Sequence, residues 1–237
     1  MTTKTKGKWQ GLIARIVRII VKVFLYGLIF SLLYILFCKW INPPITITQI
    51  GSLFSGNGLH RKYVDMNDMN PNVKLAVMAG EDQLFPDHNG FDFKSIQKAM
   101  KHNQKSKSLR GASTISQQVA KNVFLWQHGG YFRKGLEIYF TFMIENVWGK
   151  KRILEMYLNV AEMGEGIFGV EAASEHYFHK SAKKLSRKEA ALIAACLPNP
   201  KGYTIHPLSA HVASRYPWIV RQMNNLEEDP DVQALLK

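Results

Sequence analysis

The sequence predicts a mainly α-helical domain behind one N-terminal membrane-spanning helix. Three observations carry that class: a long apolar run beginning at Ile19, apolar residues at helical spacing behind recognisable caps from Asn70 onward, and few alternating, strand-like runs. The 237 residues leave room for one sizeable domain plus an accessory segment. The formal net charge is +13, but nine positive charges precede the first acidic residue, Asp65. Past that point 22 basic residues face 18 acidic ones, so the basicity belongs to the N-terminus and argues against a nucleic-acid partner.

The run "IIVKVFLYGLIFSLLYILFC" (19–38) carries Lys22 as its one charge. About 20 apolar residues at 1.5 Å each span a ~30 Å hydrocarbon layer. A cleaved signal has a shorter apolar core and ends in small residues, whereas this run ends in Cys38-Lys39-Trp40. The expectation is an uncleaved anchor at 19–40. Lys4, Lys6, Lys8, Arg15, Arg18 and Lys22 precede or enter it and Lys39 alone follows at once. The positive-inside rule therefore puts 1–18 in the cytoplasm as a basic tail and the rest outside. The two cysteines, Cys38 and Cys196, have no metal-ligand spacing and are not expected to pair.

"INPPITITQI" (41–50) reads as extended, a linker or short strand, within a connecting segment 41–70. Asn70-Pro71 is a cap and first-turn pair for "PNVKLAVMAGED". Asp92 caps "FKSIQKAMKHNQ", which runs into the basic loop "KSKSLRG" (105–111). Ser113 or Thr114 opens the next helix, through 125, and 132–148 has apolar residues at helical spacing. "KRILEMYLNVAEM", "FGVEAASEHYF" and "SRKEAALIAACL" read as three more, the last stopped by Pro198, and a final helix over 211–228 contains Pro217. The folded domain is placed at 71–237.

Three constellations could carry chemistry. In "AVMAGEDQLFPDHNGFD" (76–92), Glu81 closes an apolar helix. The negative end of the helix dipole and an apolar wall both raise a carboxyl's pKa toward the range useful for proton transfer. A plain surface Glu-Asp pair is the alternative. In "GASTISQQVAKN" (111–122), Thr114, Gln118 and Lys121 share a helical face. A hydroxyl, an amide and an ammonium in a row suit an anionic, oxygen-rich ligand. In "RKGLE", Arg133 and Lys134 could hold a phosphate beside a second carboxylate, Glu137, or simply pair with it. "SAKK" (181–184) lacks the partners of an acyl-enzyme serine, and His176 and His179 lack a third metal ligand. Glu162, Glu165 and Glu171, set among glycines, read as turn and cap residues.

Together these pieces resemble the peptidoglycan glycosyltransferases: the polymerase domain of bifunctional penicillin-binding proteins and its monofunctional, membrane-anchored relatives. "EDQLFPDHNGFD" resembles the first family signature, "GASTISQQVAKN" the second, "RKGLE" the third, "KRILEMYLNVAEMGEGIFGVEAAS" the fourth and "RKEAALIAACLPNP" the fifth. The likeness runs from about residue 71 to 200, in order. Because the chain stops at 237, a monofunctional enzyme without transpeptidase activity is expected. One departure is Ala112, where a second Gly is common; Ala is tolerated unless φ must be positive there.

The resemblance implies a lysozyme-like, two-lobed α fold, part of which embeds in the bilayer around "NVFLWQHGGYF" (122–132). It implies polymerisation of lipid II at the lipid-linked end of a growing glycan in the inner membrane of a bacterium. Glu81 is then the general base, and Glu137 acts near the departing pyrophosphate. Lys121, Arg133 and Lys134, with Arg110 a weaker candidate, surround that anion, while Thr114 and Gln118 hold sugar or phosphate oxygens. Asp82, Phe85 and His88 belong to the substrate-binding loop and order Glu81 rather than react. A divalent ion, Mg or Mn, could assist at the pyrophosphate, although the sequence offers no protein metal site. Other wall-synthesis or division proteins are conceivable partners. The rivals are a lysozyme-type hydrolase, which needs no cations for a pyrophosphate, and a non-catalytic tethered scaffold, which would not need both glutamates.

Overall fold

The computed structural model describes residues 3–106, 111–127 and 129–237, with side chains from residue 11 onward. Two compact units result, 1–41 and 42–237. The first is one helix, α1 (Thr3–Trp40), whose stretch Gly11–Trp40 contains an 18-residue window of mean hydropathy 2.4. Thirty residues at 1.5 Å make ~45 Å, more than the hydrocarbon layer requires.

The second unit starts with a departure from the sequence reading. Residues 47–54, expected to be extended in part, form α2 (Ile47–Phe54). Thr46 and Gln49 close a reciprocal capping box at its start. Its faces are inverted: Thr48, Gln49 and Ser52 are buried, while Ile47, Ile50, Leu53 and Phe54 are exposed. Pro43-Pro44 and this inversion hide the helix from a search for an inward apolar stripe.

The first helical lobe is built on α3 (Pro71–Glu81), started by the Asn70 cap with Pro71 in the first turn. Every residue from Val73 to Ala79 is buried and all but Lys74 are apolar, so α3 is central. It packs against α9 (Arg187–Cys196) and α10 (Ala210–Leu226), and α11 (Pro230–Leu236) closes over it. Lys74, almost fully buried on α3, donates at 2.9 Å to the Leu236 carbonyl of α11. The short α11, capped by Asp229, is an element the sequence reading did not contain.

The second lobe is α5 (Ile115–Phe124) packed on α6 (Tyr131–Val147) and α7 (Lys150–Val160), with α2 against α5. Phe124 stacks on Phe140 at 4.6 Å between ring centroids. Val123, Phe124 and Leu125 are therefore core, and in the stretch 122–132 only Trp126, Tyr131 and Phe132 are exposed large apolar side chains among the described residues. α4 (Phe93–Lys105) follows the Asp92 cap.

A small sheet of order β1-β3-β2 joins His60–Arg61, Ile167–Phe168 and Glu162–Gly164, and α8 (Val170–Phe178) packs on it. Residues 161–163, read as the end of a helix, thus leave α7 for a strand. Gly166 makes the β2–β3 turn with φ +67°, where a Cβ would lie 2.0 Å from the Asn57 carbonyl oxygen.

Candidate active site

The two lobes meet at the C-terminus of α3, and Glu81 is its last residue. Its Oε2 accepts a 2.7 Å hydrogen bond from Gln118 Nε2 on α5. The other end of that amide, Oε1, accepts from the Tyr157 hydroxyl of α7 at 3.2 Å. Tyr157 is only 1% exposed, and burial, then the nearby charges of Glu81 and Asp82, push its phenol well above the usual range. It is therefore a fixed neutral donor, and it orients the Gln118 amide so that the NH₂ faces the carboxylate. Burial raises the Glu81 pKa; the Gln118 bond and the charges of Arg215 and Lys121 pull the other way, and Asp82 adds to the rise.

Asp82 ties the loop after α3 to the neighbouring helix. One carboxylate oxygen accepts from the Ile115 amide at the start of α5, at 3.0 Å, and both lie 3.1 Å from His88 Nε2. The Gly90 amide donates to His88 Nδ1 at 3.1 Å, which assigns the ring proton to Nε2. Phe85 is fully buried, with the Lys150 ammonium 4.6 Å over its ring and His88 at its edge. Grouped with the substrate-binding residues by sequence, it supports the loop from beneath.

Thr114 is the N-cap of α5, and Gln117 completes a capping box with it. Its hydroxyl accepts from the Gln117 amide and donates to the Gly90 carbonyl at 2.7 Å. The hydroxyl expected to bind substrate oxygens is thus engaged in the scaffold, and the Gln118 amide is engaged by Glu81 and Tyr157. Ala112 has no positive φ, so the missing second glycine costs nothing. Arg110 lies outside the described residues.

The third constellation assembles as a cluster on α6. Glu137, 3% exposed, accepts from Arg133 Nη1 at 2.7 Å and from the Lys134 ammonium. The Arg133 Nε is buried without a hydrogen-bond partner among the described residues. Lys121, on α5, forms no hydrogen bond or ion pair among the described residues and feels both carboxylates, Glu137 more than Glu81. Burial lowers its pKa first, Glu137 raises it, and Arg133 and Lys134 lower it again. The cluster therefore holds three cations against one fully engaged carboxylate, an excess that suits an incoming anion.

Two cavities flank the Glu81–Gln118–Tyr157 line. One, of about 450 Å³, is lined by Glu81, Asp82, Lys98, Thr114 and Trp218. The other, of about 460 Å³, is lined by Gln118, Lys121, Asn122, Tyr157 and Lys201. Each is within the range of a small-ligand site. Among the described residues no group of three or more His, Cys, Asp or Glu could hold a metal ion, and both Glu137 oxygens already have cationic partners. A protein-held metal does not fit these donors.

Sequence reasoning gave Tyr157 no role, although it lies in the quoted fourth motif. It also missed Arg215, whose guanidinium donates to the Gly80 carbonyl, and Trp218 beneath it. Neither falls in a quoted motif.

Residues 47–224 match the transglycosylase family. A protein described as a biosynthetic peptidoglycan transglycosylase in Mannheimia succiniciproducens is 56% identical over 164 residues, 69% of this chain and 67% of its own length. Proteins so described in Shigella boydii serotype 4 and Escherichia coli are 55% identical over 189 residues, 78% of either chain.

Proposed function

The chain belongs to the transglycosylase family and is a peptidoglycan glycosyltransferase; from that premise we propose that its substrate is lipid II and that Glu81 and the Lys121/Arg133/Lys134 cluster divide the chemistry between them. The observation that carries this reading is a part-buried carboxylate of raised pKa lining one cavity, with Lys121 lining the other and Arg133 and Lys134 close enough to Lys121 to bear on its charge.

The acceptor sugar of an incoming lipid II lies against Glu81, which takes the proton of its 4-hydroxyl. The freed oxygen attacks the anomeric carbon at the lipid-linked end of the growing glycan. The bond from that carbon to the diphosphate breaks, and its electron pair leaves with undecaprenyl pyrophosphate. One displacement inverts the α-linked donor to a β-1,4 link, so no covalent sugar–enzyme intermediate forms. Lys121, Arg133 and Lys134 stabilise the departing anion. Glu137 holds Arg133 and Lys134 in place for it, and its engaged oxygens favour that role over direct proton donation. Asp82, His88, Phe85 and Thr114 fix the loop around the base. Any Mg or Mn would ride on the diphosphate oxygens, and no step is assigned to it.

α1 would anchor the enzyme in the bacterial inner membrane, with residues 1–18 cytoplasmic and the domain on the far side. The outward apolar face of α2, with Trp126, Tyr131 and Phe132, would rest on the bilayer that holds both polyprenyl-linked substrates.

Incubating the detergent-solubilised protein with labelled lipid II and sizing the product tests the reading. Polymer from the natural chain and none from Glu81→Gln is expected. Polymer from both would remove Glu81 as the base, and shortening of preformed glycan would make the protein a hydrolase.

A further inference from the structure

The C-terminal end of α3 is secured from an element that no active-site motif reaches. Of its last carbonyls, Met78 O accepts from the Asp82 amide, Ala79 O from the Gln83 side chain at 3.2 Å, and Gly80 O from Arg215 Nη2 at 3.2 Å. Such terminal carbonyls carry the negative end of the helix dipole, and an arginine beside them offsets it. Arg215 comes from α10 and is itself seated: its guanidinium carbon lies 3.8 Å from the ring centroid of Trp218, three residues on. Trp218 lines the same cavity as Glu81. Behind this pair α10 packs on α3, with Ile219 Cδ1 in van der Waals reach of a Cβ placed on Gly80.

We propose that Arg215, hydrogen-bonded to the Gly80 carbonyl and stacked on Trp218, is a positioning residue that holds the end of α3, and with it Glu81, in place beside a fixed positive charge. Among the described residues, the charged and titratable groups around Glu81 are Asp82 at the end of its own helix, Lys121 on α5, Tyr157 on α7 and Arg215 on α10, with Asp92 and Lys98 farther along the same cavity and the neutral Gln118 amide between Glu81 and Tyr157. Asp82 disfavours the carboxylate and Tyr157 stays neutral. Lys121 and Arg215 are the two cations that favour it, and Arg215 weighs more heavily. Burial disfavours Arg215's own charge and Glu81 restores it, so the influence is mutual. Lys121 serves the leaving group in the function proposed above. Arg215 has no such duty; its charge at the end of α3 favours the carboxylate form of Glu81.

The test compares the full chain in detergent with Arg215→Gln and Arg215→Lys. Proteins labelled at the glutamate side-chain carboxyl carbon are titrated by carbon NMR, with the Glu81 signal assigned by its loss in Glu81→Gln. Lipid II polymerisation is followed over the same pH range. Arg215→Gln should make Glu81 titrate at higher pH. On the acid limb its rate should fall at least about twofold beyond any loss on the plateau. Arg215→Lys, which keeps the charge but not the fork, should return the titration toward that of the natural chain. An unmoved Glu81 titration in Arg215→Gln, or identical titrations in both variants, would overturn the proposal. The NMR arm needs no substrate, so it decides Arg215's role even if the protein failed to polymerise lipid II, an outcome that would instead refute the function from which this inference starts.

Discussion

Gln118→Leu separates the base from its neighbour with little change of volume. Gln118 Nε2 sits 2.7 Å from Glu81 Oε2, and a hydrogen bond to a charged group is worth ~1.5–3 kcal/mol. That bond favours the ionised carboxylate, so its loss must raise the Glu81 pKa further above its ordinary value. Since ~1.4 kcal/mol is a factor of ten, the fraction of enzyme with an ionised base should fall about tenfold or more on the acid side of the profile. The plateau at high pH should fall much less. Leucine also strands the Tyr157 hydroxyl, which is 1% exposed, at a cost of ~1–3 kcal/mol of stability. Adding Tyr157→Phe should recover part of that stability without restoring the rate at low pH. The assay is kcat/KM for lipid II polymerisation between pH 5 and 9 beside thermal unfolding of each variant. An acid limb that stays in place, or moves to lower pH, would refute the assignment of Gln118 as the support of the base.

Glu81→Gln should raise thermal stability while abolishing polymerisation. A carboxyl whose pKa is raised by folding contributes stability below its unfolded value of about 4.5 and loses it as pH climbs through the folded value. The gain in unfolding temperature should therefore appear at neutral pH and vanish near pH 4, and a uniform gain would contradict this origin. Gly90→Ala should destabilise the fold by at least ~1–3 kcal/mol, because φ is +88° there and a Cβ would lie 2.7 Å from Thr141 Cγ2; denaturant unfolding checks it. If Arg133 stabilises the departing diphosphate as proposed, with its Nε unpartnered among the described residues, Arg133→Gln should lower kcat more than it raises KM. A pure KM effect would make it a ground-state contact.

Most helices were legible because caps and apolar spacing agree. Asn70-Pro71 starts α3 and Asp92 starts α4 where the sequence places them. α2 was hidden because its buried face is Thr48, Gln49 and Ser52, the reverse of the pattern that marks a helix on a soluble core. α11 was hidden because only seven residues carry it. The site was legible where catalytic chemistry and sequence spacing coincide, as in Arg133, Lys134 and Glu137 on one helix. Roles within the site were harder to read. Thr114 closes a helix cap and Phe85 fills the core, positions that the motifs alone do not reveal. Arg215 reaches Gly80 across 135 positions of sequence, and no local pattern signals such a bond.

The most direct test of the account is the chemistry of one turnover. Purified protein and lipid II should yield one undecaprenyl pyrophosphate per new glycosidic bond, and NMR of the product should show that bond to be β. An α bond would mean retention, contradicting a single inverting displacement assisted by Glu81. Bond formation without released pyrophosphate would contradict the role given to Lys121, Arg133 and Lys134.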